Sequence, residues 1–211
     1  MTTSQLTTGP SWRSAPRPAA EPNVKPGGVH TNKEDMKILA ISGSLREQSY
    51  NRAVVEALSQ LAPEGIAVHV FDGLRNLPLF NPDLEEKQVF AVEHFKEALS
   101  DSHGLVIASP EYAHGISGVM KNALDWLVSG EEFIHMPIML INTSPRAHHA
   151  QDALREIVIT MSGYIVDNAC LSLPLLGSGL DVAGILHNTE LSDSLQSHLR
   201  IFCEAIKKKR A

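Results

Sequence analysis

The chain has 211 residues, of which 43% are hydrophobic and 20% are charged, a composition typical of a globular protein with one ordinary domain. Its formal net charge of −6 argues against a nucleic-acid-binding protein, which usually carries a basic excess. No apolar run has the length of a membrane span, so we expect neither nucleic acid nor a membrane as a partner.

The first 35 residues differ in composition from the rest of the chain. They contain five of the twelve prolines and many Ser, Thr and Gly residues, but almost no large apolar side chains. Such a segment buries too little surface to offset the entropy lost on ordering it. We therefore expect a flexible tail over residues 1–35 and one domain over residues 36–211.

Strand and helix patterns alternate through the predicted domain. Short apolar runs predict five strands, at 37–42, 66–71, 104–108, 137–142 and 165–171. Apolar residues at helical spacing predict five helices, at 51–61, 89–100, 118–128, 150–162 and 190–208. Residues 72–86 contain Gly73, Pro78 and Pro82, which indicates a long surface loop.

Five repeats of strand and helix are typical of an α/β protein with a parallel sheet covered by helices on both faces. The natural candidate is a flavodoxin-like three-layer sandwich with the strand order 2-1-3-4-5, although periodicity alone does not establish the order. In that arrangement the loops after strands 1, 3 and 4 converge at one end of the sheet. These loops are therefore the candidate functional site.

The loop after the first strand has polar groups that suit a monophosphate. Gly43 permits a tight turn, and Ser44 and Ser49 offer hydroxyl donors. Ser49 is also the expected N-cap of a helix whose free N–H groups and positive dipole end face the loop. Arg46 adds a planar cation, and Asn51 adds an amide. The alternative is an ordinary capped helix after a strand; neither GxxxxGK[ST] nor GxGxxG is present.

The loop after the third strand mixes rigid, aromatic and small residues, namely Pro110, Glu111, Tyr112, Ala113, His114 and Gly115. Backbone groups in such a loop could pair with the polar edge of a flat heterocycle, and Tyr112 could pack nearby. The alternative is a surface turn whose tyrosine covers the end of the sheet.

The loop after the fourth strand contains Ser144 and Arg146, which could reach the same ligand, followed by His148 and His149. Adjacent histidines at a helix start are expected to point in different directions, and no third ligand is evident, so we predict no metal site. No serine lies in a GxSxG sequence, which leaves a serine hydrolase unsupported.

The two cysteines, Cys170 and Cys203, lie far apart in apolar surroundings. This arrangement indicates small buried side chains in a reducing compartment rather than a disulfide framework. We therefore expect a cytoplasmic protein.

These residues resemble the NAD(P)H-dependent FMN reductase family, which is flavodoxin-like. The resemblance rests on two motifs: Gly43-Ser44-Leu45-Arg46 with Ser49 and Asn51, and Ser109-Pro110-Glu111-Tyr112 followed by Gly118-Val119-Met120-Lys121-Asn122-Ala123-Leu124-Asp125-Trp126. It implies that Ser44, Arg46, Ser49 and Asn51 hold the phosphate of bound FMN. It also implies that residues 110–115 follow the isoalloxazine edge, with Ser144 and Arg146 near the ring or the ribityl chain.

The resemblance further implies an enzyme in which the flavin carries the chemistry, so no catalytic side chain is predicted. A hydride would come from NAD(P)H, with NADPH favoured over NADH. The electrons would pass by a ping-pong mechanism to a small acceptor such as a quinone, an azo compound, a metal oxyanion or free flavin. The family also implies a homodimer or homotetramer.

Two differences from the family pattern are visible. Many members have Asn and Pro at the positions that Ala113 and Ser117 occupy here.

Two alternative functions stay open on the same fold: a flavodoxin-type electron carrier without its own substrate, and a binding module without flavin. The modest net charge of −6 favours the reductase over the carrier, because carriers present a strongly acidic face.

Overall fold

The structure is a computed structural model that describes residues 36–146 and 148–210. The predicted tail over residues 1–35 lies outside the described residues, so that part of the domain assignment stays a prediction.

Strands and helices alternate along the described chain, as the sequence pattern predicts. The strands are β1 (Met36–Ser42), β2 (Ile66–Phe71), β3 (Gly104–Ala108), β4 (Glu111–Tyr112), β5 (Gly115–Ile116), β6 (Pro137–Asn142), β7 (Tyr164–Ile165) and β8 (Leu171–Ser172). The helices are α1 (Tyr50–Gln60), α2 (Phe90–Ser100), α3 (Gly118–Asp125), α4 (His149–Thr160), α5 (Val182–His187) and α6 (Thr189–Arg210).

The main sheet is parallel and has the order β2-β1-β3-β6-β7, with β8 also paired to β6. Counting only these strands along the chain, the order is the predicted 2-1-3-4-5. In the central register, Ala40 of β1 lies between Val70 of β2 and Val106 of β3. The flavodoxin-like fold class is therefore confirmed.

The central strands are buried on both faces, which explains why they are continuous apolar runs. Successive side chains of a strand point to opposite faces. Ile38 and Ala40 of β1 accordingly join the core beneath α1, α5 and α6. Leu39 and Ile41 join the second core, beneath α2, α3 and α4. Burying one large aliphatic side chain of this kind stabilises the fold by about 1.5–3 kcal/mol.

The predicted fifth strand is wrong as a single element. The chain pairs with β6 at β7, leaves the sheet through a 3₁₀ turn at Asp167–Ala169, and pairs again at β8. Asp and Asn side chains compete with the ladder by bonding to nearby backbone, so Asp167 and Asn168 favour a turn here. The prediction also missed the short helix α5 and the β4–β5 pair.

The segment after β2 is held by side chains of α3 and of the residue that follows it. Pro78 O accepts hydrogen bonds from Asn122 Nδ2 at 2.9 Å and from Trp126 Nε1 at 2.8 Å. Asn122 Oδ1 accepts a third from the N–H of Phe80 at 2.8 Å. These two side chains therefore have a structural role in attaching the predicted long loop to the domain.

Gly43 and Ser117 join the loop after β1 to the start of α3. Ser117 Oγ donates to Gly43 O at 2.6 Å and accepts from the N–H of Met120 at 3.2 Å, so it also caps α3. The N–H of Gly43 donates to Ala108 O at 2.8 Å. A Cβ at position 43 would lie 2.7 Å from Ser109 Oγ and 2.8 Å from Ser117 Oγ. Only glycine therefore permits this approach of the two loops.

Residues 111–116, which we call the 111–116 hairpin, form the antiparallel pair β4–β5 with a two-residue connection. The connecting residues Ala113 and His114 have φ angles of 50° and 60°. Positive φ at both positions is the geometry of a type I′ turn, which strongly prefers Asn-Gly. Ala and His adopt positive φ angles less readily than Asn and Gly, so the turn stores backbone strain.

Replacing Ser117 by Ala removes both the cap of α3 and the buried bond to Gly43. We expect the free energy of unfolding to fall by roughly 2 kcal/mol, from one N-cap and one buried hydrogen bond. Urea unfolding of the variant measures this loss, with Ser197→Ala on the exposed face of α6 as the matched control. A loss below about 0.5 kcal/mol, the range of ordinary surface substitutions, would contradict this role of Ser117.

Replacing Ala113 by Asn should stabilise the protein, because Asn adopts positive φ more readily than Ala. We expect a gain of about 1 kcal/mol, seen as a higher urea midpoint at unchanged slope. The control is Ala183→Asn on the exposed side of α5, where Asn should be slightly destabilising through its lower helix propensity. A lower midpoint for the variant at position 113 would show that the turn is unstrained.

Candidate functional site

The loops after β1, β3 and β6 lie side by side, because these three strands are adjacent and parallel. Besides the Gly43–Ser117 contact, Thr143 Oγ1 bonds to Asn51 Oδ1 at 3.2 Å. Asn51 and Thr143 are 5% exposed in the folded chain. Hydrogen bonds thus connect the first loop to the start of α3, and the start of α1 to the loop after β6.

Residues 43–49, which we call the 43–49 loop, present backbone donors without acceptors. Ser44 is buried, and its Oγ accepts from the N–H of Arg46 at 3.4 Å. Ser49 is confirmed as the N-cap of α1 and accepts from the N–H of Arg52, also at 3.4 Å. Both hydrogen bonds are long and therefore weak, so the two hydroxyls can also bond to a ligand. Among the described residues, the N–H groups of positions 45, 47, 48 and 49 have no hydrogen-bond partner.

Two arginines near this loop differ in their availability. Arg52 donates to Glu56 Oε1 and to Asp72 Oδ1, each at 2.6 Å. The hydrogen bond that Arg52 donates to Asp72, followed by the one it donates to Glu56, raises the pKa of the Arg52 guanidinium above its usual value. Arg46 is exposed and makes no ion pair within the part of the chain that the structure describes. Arg46 is therefore the cation free to meet an anion.

A cavity of about 420 Å³ lies beside the 43–49 loop. One wall runs from Arg46 through Ser49 to Glu56, and the other is the segment 179–182. Tyr50 connects the two walls, because its hydroxyl accepts the N–H of Gly179 at 3.0 Å. Three of the four residues with a free N–H group, at positions 47, 48 and 49, therefore line an open volume rather than packed protein.

The 111–116 hairpin follows β3 directly and lies against the first turn of α4. Tyr112 is 52% exposed, while Pro110 and Gly115 are half-buried. The Glu111 carboxylate accepts the N–H of Ala150 in α4, with Oε2 and N 2.9 Å apart. The side chain of Glu111 is thus bonded to the protein, and the hairpin backbone remains as the part suited to a ligand.

The expectation that His148 and His149 point in different directions is wrong. Their ring centroids lie 4.2 Å apart at an interplanar angle of 33°. His149 also stacks on His114 of the hairpin, with centroids 4.3 Å apart and an angle of 26°. Within residues 36–146 and 148–210, no group of three or more His, Cys, Asp or Glu residues is arranged to hold a metal.

Among the described residues, neither Ser144 nor Arg146 makes a hydrogen bond or an ion pair with the first two loops. The N–H of Ser144 donates to Asn142 Oδ1 at 2.9 Å, which forms a local turn. Arg146 is exposed. The roles expected for these two side chains stay predictions.

Three residues of the site, Ser109, Ser117 and Thr143, were given no role from the sequence. Ser117 carries a signal that was available, since a Ser directly before a Gly-initiated helix is a common N-cap. Thr143 and Ser109 carry none, because their importance depends on which loops the sheet brings together. All three are buried polar residues, which are uncommon unless they are bonded.

Neither cysteine has the character of a redox centre. Both are free thiols within the described chain. Burial raises the pKa of Cys203 to about 11, and burial likewise raises the pKa of Cys170. The thiolate is the reactive form, so both side chains act as small buried groups. Among the helices that the structure describes, none is long and apolar enough to cross a membrane.

The donors at this edge fit FMN. Its phosphate requires N–H donors, hydroxyls and a cation, which the 43–49 loop, Ser49 and Arg46 supply. Its ring requires a backbone that can approach a flat edge, which the hairpin after the adjacent strand β3 supplies. Ligands of open α/β sheets bind outside the carboxyl ends of the strands at the point where the strand order reverses, between β1 and β3 here.

Comparison with known proteins identifies the same family. The family model for NADPH-dependent FMN reductase matches residues 36–175. An NAD(P)H-dependent FMN reductase of Pseudomonas aeruginosa is 30% identical over 173 residues, covering 79% of this chain and 93% of that protein. A quinone reductase of Escherichia coli is 27% identical over 141 residues, covering 64% of this chain and 75% of that protein.

A solved structure has the same fold. The flavoenzyme NAD(P)H:(acceptor) oxidoreductase FerB of Paracoccus denitrificans superimposes with a TM-score of 0.66 at 23% identity, covering 82% of this chain and 98% of that chain. The motifs, the fold and the matched family model agree, and the chain belongs to the NADPH-dependent FMN reductase family of oxidoreductases.

Proposed function

We propose that this protein binds FMN, takes a hydride from NAD(P)H and passes the electrons to a small-molecule acceptor. The observation that carries the proposal is the 43–49 loop, whose N–H groups at positions 45, 47, 48 and 49 have no partner within the described chain. Residues 46–49 of this loop line an open cavity. Donors of this kind at a helix N-terminus favour a phosphate. Arg46 is free to add a charge-assisted contact, while Arg52 is occupied by two carboxylates.

Each of the remaining phosphate residues has a separate task in the proposal. Ser49 fixes the start of α1 and keeps its Oγ at the site, and Ser44 lies buried at the floor of the loop. Asn51 is bonded to Thr143 and so holds the third loop beside the first. We propose that Ser144 and Arg146, at the end of that third loop, lie toward the ring or the ribityl chain.

Bound FMN would supply the two-electron chemistry, and the protein supplies binding, orientation and hydrogen-bond donors. Backbone groups of Pro110, Tyr112, Ala113, His114 and Gly115 would follow the polar edge of the ring. N–H donors held in place there favour the negative charge that a reduced flavin carries. This chemistry requires no acid–base side chain, so we assign no catalytic residue.

Donor and acceptor would use one site in turn, which gives ping-pong kinetics. The relatives named quinone reductase support a quinone as acceptor, and azo compounds, metal oxyanions and free flavin are further candidates. We infer NADPH as the preferred donor from the family description, which names that nucleotide.

We also infer a homodimer or homotetramer in the cytoplasm. Leu79 and Phe90 are 84% and 80% exposed, and exposed large apolar side chains are common at contacts between subunits. The two free thiols suit a reducing compartment. Light scattering of the purified protein measures the oligomeric state.

The absorption spectrum tests the proposed function. After loading with FMN and removal of free flavin, the protein should be yellow, and anaerobic NADPH should bleach it. Addition of benzoquinone should then restore the colour, and initial rates should give parallel double-reciprocal lines. A protein that binds FMN but is not bleached by NADPH would be an electron carrier, and a protein that does not bind FMN would contradict both flavin functions.

Replacing Arg46 by Ala should weaken FMN binding. A hydrogen bond to a charged group contributes about 1.5–3 kcal/mol, which corresponds to roughly a 10-fold to 100-fold higher Kd. Quenching of flavin fluorescence on titration measures the Kd. The matched control is Arg200→Ala on the exposed face of α6, which should leave the Kd unchanged. Equal affinities of wild type and the Arg46 variant would remove this residue from the phosphate site.

A further inference from the structure

The 111–116 hairpin is attached to α4 by two side chains. The Glu111 carboxylate accepts the N–H of Ala150 in the first turn of α4, with Oε2 and N 2.9 Å apart. The His114 ring stacks on His149, the first residue of α4, with centroids 4.3 Å apart. Both contacts connect the hairpin to the same end of the same helix.

The Glu111 carboxylate occupies a favourable position. First-turn N–H groups have no acceptor within their own helix, and the dipole favours negative charge there. His148, which precedes α4, makes no side-chain cap hydrogen bond. Ala150 is 2% exposed, so its N–H needs an acceptor from the protein. Glu111 therefore caps α4 from a segment 39 residues earlier in the chain.

The hairpin requires such an attachment. Ala113 and His114 have φ angles of 50° and 60°, and strained backbone of this kind persists only where the surrounding structure fixes it. Two short strands alone are marginally stable in water. Tyr112, at 52% exposure, adds little packing. Ile116 packs against the second core at one end of the hairpin, and the contacts with α4 add the attachment that helps to hold the turn in its strained form.

We propose that Glu111 is a positioning residue, whose bond to Ala150 fixes the hairpin backbone against α4 and so sets the position of the groups that follow the flavin ring. The second half of this statement rests on the proposed function. The family resemblance implies a place for Glu111 along the ring edge, and its side chain contributes there through α4.

Three substitutions at position 111 separate this role from others. Glu111→Gln keeps an acceptor oxygen at the same reach without the charge. Glu111→Asp keeps the charge but is one methylene shorter and does not reach Ala150. Glu111→Ala removes both properties. The control is Glu64→Ala. Glu64 is exposed and lies in the turn before β2, at the amino end of the strands, whereas the hairpin lies at their carboxyl end.

Two measurements are made on the full-length chain. Amide hydrogen exchange without FMN should become about tenfold faster at residues 111–116 and at Ala150 in the Ala and Asp variants. The Kd for FMN should rise about tenfold in the same two variants, while Glu111→Gln stays within about threefold of wild type in both measurements. Glu64→Ala should change neither.

Unchanged exchange in Glu111→Ala would overturn the proposal, whatever happens to FMN affinity. A Gln variant that loses FMN as strongly as Ala, with normal exchange, would show direct contact with the cofactor and would also overturn it. If the Ala variant does not fold, Gln and Asp are compared instead. Wild-type behaviour of Gln and not of Asp supports the bond to Ala150, and the reverse would overturn the proposal. A wild-type protein that binds no FMN contradicts the proposed function, but the exchange measurement still tests the attachment.

Discussion

One buried hydrogen bond, from Ser117 Oγ to Gly43 O, sets the distance between the two loops on which the site depends. The same hydroxyl caps α3, so the helix that follows the hairpin begins where the 43–49 loop turns. Gly43 makes the approach possible, because a Cβ there would lie within 2.8 Å of both Ser109 Oγ and Ser117 Oγ. The proposed flavin site therefore depends on a small residue and a short hydroxyl side chain, neither of which need touch the flavin.

Some polar groups of the site have hydrogen-bond partners within the protein, and others have none among the described residues. Arg52, Glu111 and Asn51 are each bonded to other parts of the protein and hold the loops in place. The Arg46 guanidinium and the N–H groups at positions 45, 47, 48 and 49 have no partner in the described structure, and residues 46–49 line a cavity. Residues 45–48 are exposed, so water can hydrate these donors in the free protein, and a phosphate that replaces the water would find them unpaired. The strained turn of the 111–116 hairpin belongs to the same pattern, since strain tends to concentrate at functional sites.

Most of the fold could be predicted from the sequence. The bounds of β2, β3 and β6 agree with the prediction, because buried parallel strands are short apolar runs between turn residues. The β4–β5 pair was missed because two-residue strands have no periodicity and Ala113-His114 is not a usual turn sequence. The capping of α4 by Glu111 and the stack of His114 on His149 depend on contacts across the fold, which spacing along the chain does not contain. For Ser49, the local N-cap pattern was sufficient.

The central claim is that the 43–49 loop holds a phosphate while the 111–116 hairpin follows a ring. The most direct test is to measure amide NMR shifts during titration with FMN and, separately, with riboflavin. Riboflavin has the same ring and no phosphate. With FMN, we predict shifts for the amides at positions 45, 47, 48 and 49 and for those of the hairpin. With riboflavin, we predict that the hairpin amides shift while the four loop amides do not. Equal shifts of the loop amides with both ligands, or no shifts in the hairpin with either, would contradict the account.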